Sequence, residues 1–100
     1  MKIVLRKTAR EENREAQKWY ERQQSGLGRR FAEAVQTALE RIQSNPTGFR
    51  LAYKNVREAL VRGFPYVIYY CVEESRIVVF AVFHGRRDPQ VWRSRVDEDV

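Results

Sequence analysis

Residues 65–73, PYVIYYCVE, and residues 76–84, RIVVFAVFH, stand two residues apart across Glu74 and Ser75. Both runs are aromatic and β-branched, and a two-residue break between such runs predicts a hairpin of adjacent strands. Apolar side chains occupy alternating and non-alternating positions alike, so both faces of these strands are expected to be covered and the pair to lie at the centre of a sheet. Tyr66, Ile68 and Tyr70 share one parity and therefore one face. Upstream, residues 56–62 read as another strand, with Gly63 as a turn or bulge before Pro65.

Further towards the N-terminus the period changes. Leu27, Phe31, Ala34, Val35, Ala38, Leu39 and Ile42 recur at steps of three, four and one, which predicts a helix over 27–43 with that stripe in the core. Asn45 and Pro46 end it, because the residue before proline is pushed out of helical geometry. Ser25, Gly26 and Gly28 separate this helix from an earlier one over 9–24, for which Thr8 and Glu11 are the expected capping box. Ala16, Trp19, Tyr20 and Gln23 share a stripe of that first helix, and Trp19 and Tyr20 are expected to be core or interhelical contacts. The short link predicts an antiparallel helical hairpin. Residues 2–5 form a short strand ahead of it. Asp88 and Pro89 suit the start of a short terminal helix or turn, and 96–100 read as a frayed acidic tail behind a single domain over 1–95. The expected class is α+β, in the order β-α-α-β-β-β, with the hairpin packed on a mainly antiparallel sheet. The hairpin covers one face of that sheet; the other is left for a partner.

The chain has 100 residues, enough for one modest core, and a net charge of +6 from 19 Lys+Arg against 13 Asp+Glu. Arginine supplies 15 of those cations, and its planar fork suits carboxylate or phosphate. An anionic partner is therefore expected, nucleic acid, membrane surface or acidic protein. Cys71 is the single cysteine, which excludes an intrachain disulfide and cysteine-rich zinc sites, and it is expected as a small buried hydrophobe. No run approaches a membrane span or a signal peptide, so a cytoplasmic setting is the default. There is no phosphate-binding glycine loop, metal-ligand cluster or serine elbow, and neither metal nor cofactor is expected. His84 is the one histidine: it is either a general acid or base, or it caps its strand and packs under Trp92. Arg62, Arg86, Arg87, Arg93 and Arg95 either converge at the sheet end or form a solvated face. For Tyr66 and Tyr70, core packing competes with stacking on RNA bases.

Taken in order, WYERQQSGLGRRF (19–31), NP (45–46), VREALVRGFPYVIYY (56–70) and VFHGRRDPQVW (82–92) resemble the RelE/ParE toxins of type II toxin-antitoxin modules, over almost the whole chain. That resemblance implies growth inhibition by a toxin of the plasmid-stabilisation type, which a cognate antitoxin wraps and neutralises. Operator DNA is then reached only through the antitoxin. One branch of the family cleaves messenger RNA on the ribosome with basic residues and often a C-terminal tyrosine; the other poisons DNA gyrase. No tyrosine or lysine follows His84, and FPYVIYY and HGRRDP resemble the ParE branch, so gyrase inhibition is the first expectation. For the alternative, a ribosome-dependent nuclease, the catalytic candidates are His84, Arg62, Arg86 and Arg87. A third alternative is an inert binding module or co-repressor. The resemblance marks Arg62, Tyr66, Tyr70, Arg86, Arg87, Trp92, Arg93 and Arg95 as candidates for contact with target or antitoxin, and the antitoxin segment is expected to carry apolar and acidic residues.

Overall fold

The computed structural model describes residues 1–98. The chain runs β1 (Lys2–Leu5), α1 (Lys7–Gln23), α2 (Leu27–Ser44), β2 (Leu51–Tyr53), β3 (Val56–Val61), β4 (Tyr66–Val72), β5 (Arg76–His84) and α3 (Gln90–Glu98). The strands form one sheet in the order β1-β5-β4-β3-β2, with β1 parallel to β5 and every other pair antiparallel. This is the expected α+β class, with the helical hairpin on a mainly antiparallel sheet. One element is added to the expected elements, the three-residue edge strand β2; the terminal helix or turn expected at Asp88 and Pro89 is the helix α3, packed on the sheet.

The start of α1 departs from expectation. Arg6 still donates its N–H to the Val79 carbonyl at 3.0 Å, as the last rung of the β1 ladder, and its own carbonyl accepts the first helical bond from Arg10. With the ladder fixing Arg6 as the boundary, Thr8 falls inside the first turn and no side chain caps the helix. The Thr8–Glu11 capping box is therefore not formed. The hairpin link is instead tied by Glu21, whose carboxylate accepts the N–H groups of Gly26 and Gly28 at 3.0–3.1 Å. Gly26 takes the left-handed φ of +88° that a side chain disfavours. At Gly28 a Cβ would fall 2.6 Å from the Gln17 carbonyl oxygen, so only glycine lets α1 and α2 approach this closely.

Hydrophobic residues divide between the two faces of the sheet. Under the hairpin lie Phe31, Val35, Ala38, Ile42, Ala59, Val61, Ile68, Tyr70, Ile77, Val79 and Val82. On the opposite face Val56, Cys71, Val78, Phe80, Ala81 and Phe83 pack with Trp92 and Val96 of α3. Phe80 is the hinge between the two patterns. Tyr69 pairs with Ala81 and Tyr70 with Val79, which leaves Phe80 as the extra residue of a β-bulge. Consecutive Phe80 and Ala81 then both face α3, and Val82 and His84 return to the hairpin side.

The second face is thus covered by the chain itself, not left for a partner. Asp88 starts the covering helix, its carboxylate accepting the Gln90 N–H at 2.9 Å. Trp92 stacks on Tyr69 with ring centroids 3.9 Å apart. Residues 96–98, expected as part of a frayed tail, form the last turn, where Asp97 accepts hydrogen bonds from the Tyr53 hydroxyl and the Lys54 ammonium. Those two bonds hold the Asp97 carboxyl below the usual carboxylate range. Asp99 and Val100 lie outside the described residues.

Candidate partner groove and basic sheet end

One stripe of α1 does not close onto the sheet. Thr8, Glu11, Glu12, Glu15, Ala16, Trp19 and Arg22 form one wall of an open groove of about 790 Å³. The other wall is the end of the sheet, with Pro65, Tyr66, Val82, His84 and Arg87. Its aromatic lining grows outward from the core. Buried Phe31 stacks on Tyr20, Tyr20 meets Tyr66 and Trp19 edge-on, and Tyr66 meets His84 edge-on at 5.2 Å. Trp19, expected as a core or interhelical contact, is 50 % exposed at the rim. The reason is angular: Ala9, Ala16 and Tyr20 take the buried line of α1, and Trp19 stands beside it.

Glu12, which the sequence reading did not single out, organises the floor. Past Val79 the strand β5 has lost its β1 neighbour, so its next edge groups need other partners. The Glu12 carboxylate accepts the Val82 N–H at 3.1 Å. It also forms a two-pronged pair with Arg95 of α3 at 2.8 and 2.9 Å and a longer bond with Arg87 at 3.3 Å. Arg95 in turn donates to the Phe80 carbonyl. One carboxylate thereby joins α1, β5, α3 and the loop between them. Its side chain is 13 % exposed, and an acidic residue on the Ala9–Ala16 side of an amphipathic helix was the available signal.

The five arginines expected to converge separate into three settings. Arg87 and Arg95 meet on Glu12, and both lie over the Phe83 ring. Arg93 lies over Tyr53 and Trp92, on the α3 side of the sheet. Arg62 and Arg86 are exposed and have no side-chain partner among the described residues. Topology brings these two to the same end of the sheet. Val61, Tyr66 and His84 align across β3, β4 and β5, and the Gly85 N–H donates to the Pro65 carbonyl at 2.8 Å.

His84 packs on Tyr66 and not under Trp92, because the bulge turns it to the hairpin side; its Nδ1 accepts the Arg86 N–H at 3.0 Å. Tyr66 keeps part of its surface in the groove, and burial raises its hydroxyl pKa above the ordinary value. Two candidates for partner contact have no surface to offer. Tyr70 is fully buried, its hydroxyl donating to the Pro46 carbonyl at 2.6 Å, and burial pushes its pKa up to about 12. Trp92 is buried in the α3 cluster. Among the described residues no group of three or more His, Cys, Asp or Glu is placed to hold a metal ion, and no helix is long and apolar enough to cross a membrane.

Comparison with known proteins places this geometry in context. The family model described as the ParE toxin of the type II toxin-antitoxin system, parDE, matches residues 3–89. A solved structure described as the chromosomal ParDE TA system from P. aeruginosa shares the fold, with a TM-score of 0.63 and 16 % identity. The alignment covers 84 % of this chain and 95 % of that one. No curated protein sequence matches the chain significantly. With the family match spanning strand, hairpin and sheet, the chain belongs to the ParE toxins of type II toxin-antitoxin systems.

Proposed function

We propose that the protein arrests growth in the cytoplasm by inhibiting DNA gyrase and is held inactive by a cognate antitoxin, through which alone it reaches operator DNA. The observation that carries the choice of target is the commitment of Arg87 and Arg95 to Glu12. A nuclease needs cationic groups turned to phosphate beside a group that moves protons. Here two arginines are held on one internal carboxylate, the groove beside them has an acidic wall, and His84 Nδ1 is occupied by a backbone N–H. Of the five arginines, Arg62 and Arg86 are the exposed ones without a side-chain contact among the described residues, and they are left to grip an acidic surface on the target, as arginine forks do. Pro65, His84 and Arg87 line the groove beside that basic end, so an antitoxin seated there would stand over the target-binding arginines.

The test is induced expression without antitoxin, scored for DNA breaks and for messenger cleavage. Arg62→Ala combined with Arg86→Ala is expected to weaken toxicity at least tenfold, and His84→Ala much less. Growth arrest with DNA breaks agrees with the reading. Messenger cleavage at ribosome-occupied codons that falls by about 10² to 10⁴ in His84→Ala would replace it by the nuclease.

A further inference from the structure

The first turns of α1 give one stretch of the groove a polarity opposite to that of the molecule. The chain carries +6, yet α1 turns Glu11, Glu12 and Glu15 towards this one opening. Glu12 is satisfied internally, as described. Glu11 and Glu15 stand one turn apart, a spacing at which like charges on a helix repel. Lys18 reaches Glu15 only at 3.6 Å, with both side chains mostly in water, and Glu11 has no ion-pair partner among the described residues. One turn further along the same stripe comes half-exposed Trp19, facing Tyr66 and His84 across the groove, and then Arg22. Read along α1, the wall is acidic, then aromatic, then basic.

Such an order selects its occupant. A nucleic acid would bring phosphates against Glu11 and Glu15. An acidic peptide, the partner that the net charge suggests, would meet the same repulsion over the first part of the groove. An amphipathic segment with a cation at one end satisfies all three parts: its apolar face covers Trp19, and its ends answer the wall. Aromatic side chains that a partner covers completely are where binding free energy concentrates, and an occupant lying along α1 would bury the exposed half of Trp19 between the acidic and basic parts of the wall.

We infer that the groove takes an amphipathic segment of the antitoxin with a lysine or arginine against Glu11 and Glu15, a large apolar side chain against Trp19, Tyr66 and His84, and a carboxylate towards Arg22. This rests on the toxin-antitoxin reading above and specifies the chemistry of the partner at the groove. Whatever attraction the basic surface exerts elsewhere, the contact along the first turns of α1 has the opposite polarity.

The experiment titrates the whole toxin with the purified antitoxin encoded beside its gene, and folding of each variant is checked by circular dichroism. Trp19→Ala is expected to weaken binding by roughly 30-fold or more. Glu11→Lys with Glu15→Lys is expected to weaken it about tenfold, and to bind tightly again to an antitoxin whose facing lysine or arginine is changed to glutamate. Added salt should weaken the contact of wild-type toxin with wild-type antitoxin and not that of the charge-reversed toxin with the same wild-type antitoxin. Tight wild-type binding that neither variant alters beyond about twofold overturns the inference and leaves the toxin-antitoxin reading standing. A toxin that dimerises alone, with the dimer broken by Trp19→Ala, assigns the groove to a second copy and overturns it equally. Absence of any binding by the wild-type toxin removes the toxin-antitoxin reading itself, and this inference with it.

Discussion

Glu12 holds a strand N–H, two arginines and, through Arg95, the helix over the far face of the sheet. Removing it strands both the Val82 N–H and the Arg95 guanidinium. Glu12→Ala is expected to cost about 2–3 kcal/mol in urea unfolding, below the roughly 3–5 kcal/mol of a fully buried pair because Arg95 keeps a fifth of its side chain in water. In a double-mutant cycle most of that loss should disappear once Arg95→Met is present. Tyr70 supplies a second test. Its folded pKa of about 12 lies above the ordinary value near 10, so the protonated phenol favours the folded state. That contribution is fully present below pH 10 and is lost as pH rises from about 10 to 12. Tyr70→Phe should therefore cost about 1 kcal/mol at neutral pH, through the lost bond to Pro46, and fall less steeply than wild type above pH 10. Neither role was legible in the sequence. Glu12 appeared as one charge among several, because the edge that it caps exists only where β1 ends at Leu5, opposite Val79 of β5. Parity placed Tyr70 with Ile68 on one face, but its hydroxyl partner lies 24 residues away.

The elements differ in how plainly their sequence announced them. The three-four spacing of α2 and the apolar runs of β4 and β5 were readable because α2 repeats its period over more than two turns and each strand keeps an unbroken apolar and aromatic run over more than six residues. Strand β2 has three residues and no period to read. For α3 the start was visible in Asp88 and Pro89, but its function as a cover was not, since only Val91, Trp92 and Val96 among residues 90–98 are large and apolar. The unbroken apolar run of β5 stated correctly that both faces are covered; the bulge at Phe80 explains why neither simple alternation nor one-sided burial fits it. Trp92→Ala is expected to cost about 3–5 kcal/mol and to expose the Val78, Phe80 and Phe83 patch, measurable as lower melting temperature and increased aggregation. Leu39 is half-buried at the margin of the hairpin cluster, so Leu39→Ala should cost about 1–2 kcal/mol and not the roughly 2–5 kcal/mol of a fully buried leucine.

At the scale of the whole molecule the surface is divided by charge and aromatic content. The α1 groove carries aromatic and acidic residues, while the neighbouring sheet end presents Arg62 and Arg86. Order and spacing of segments along the chain sufficed to indicate the toxin family, because that fold places its hairpin and strands in a fixed succession. The division of the arginines was not legible, since it depends on which of them Glu12 can reach through the bulge and α3. The proposed account is that the basic end meets the target and the antitoxin, seated in the groove, stands over it. This is tested most directly by incubating purified toxin with purified DNA gyrase, supercoiled plasmid and ATP, with and without the antitoxin. The account predicts that the toxin causes gyrase to accumulate cleaved plasmid, that equimolar antitoxin suppresses this, and that Arg62→Ala with Arg86→Ala weakens it at least tenfold. Unchanged supercoiling and no cleaved plasmid, from a toxin that cuts messenger RNA on ribosomes, would contradict it.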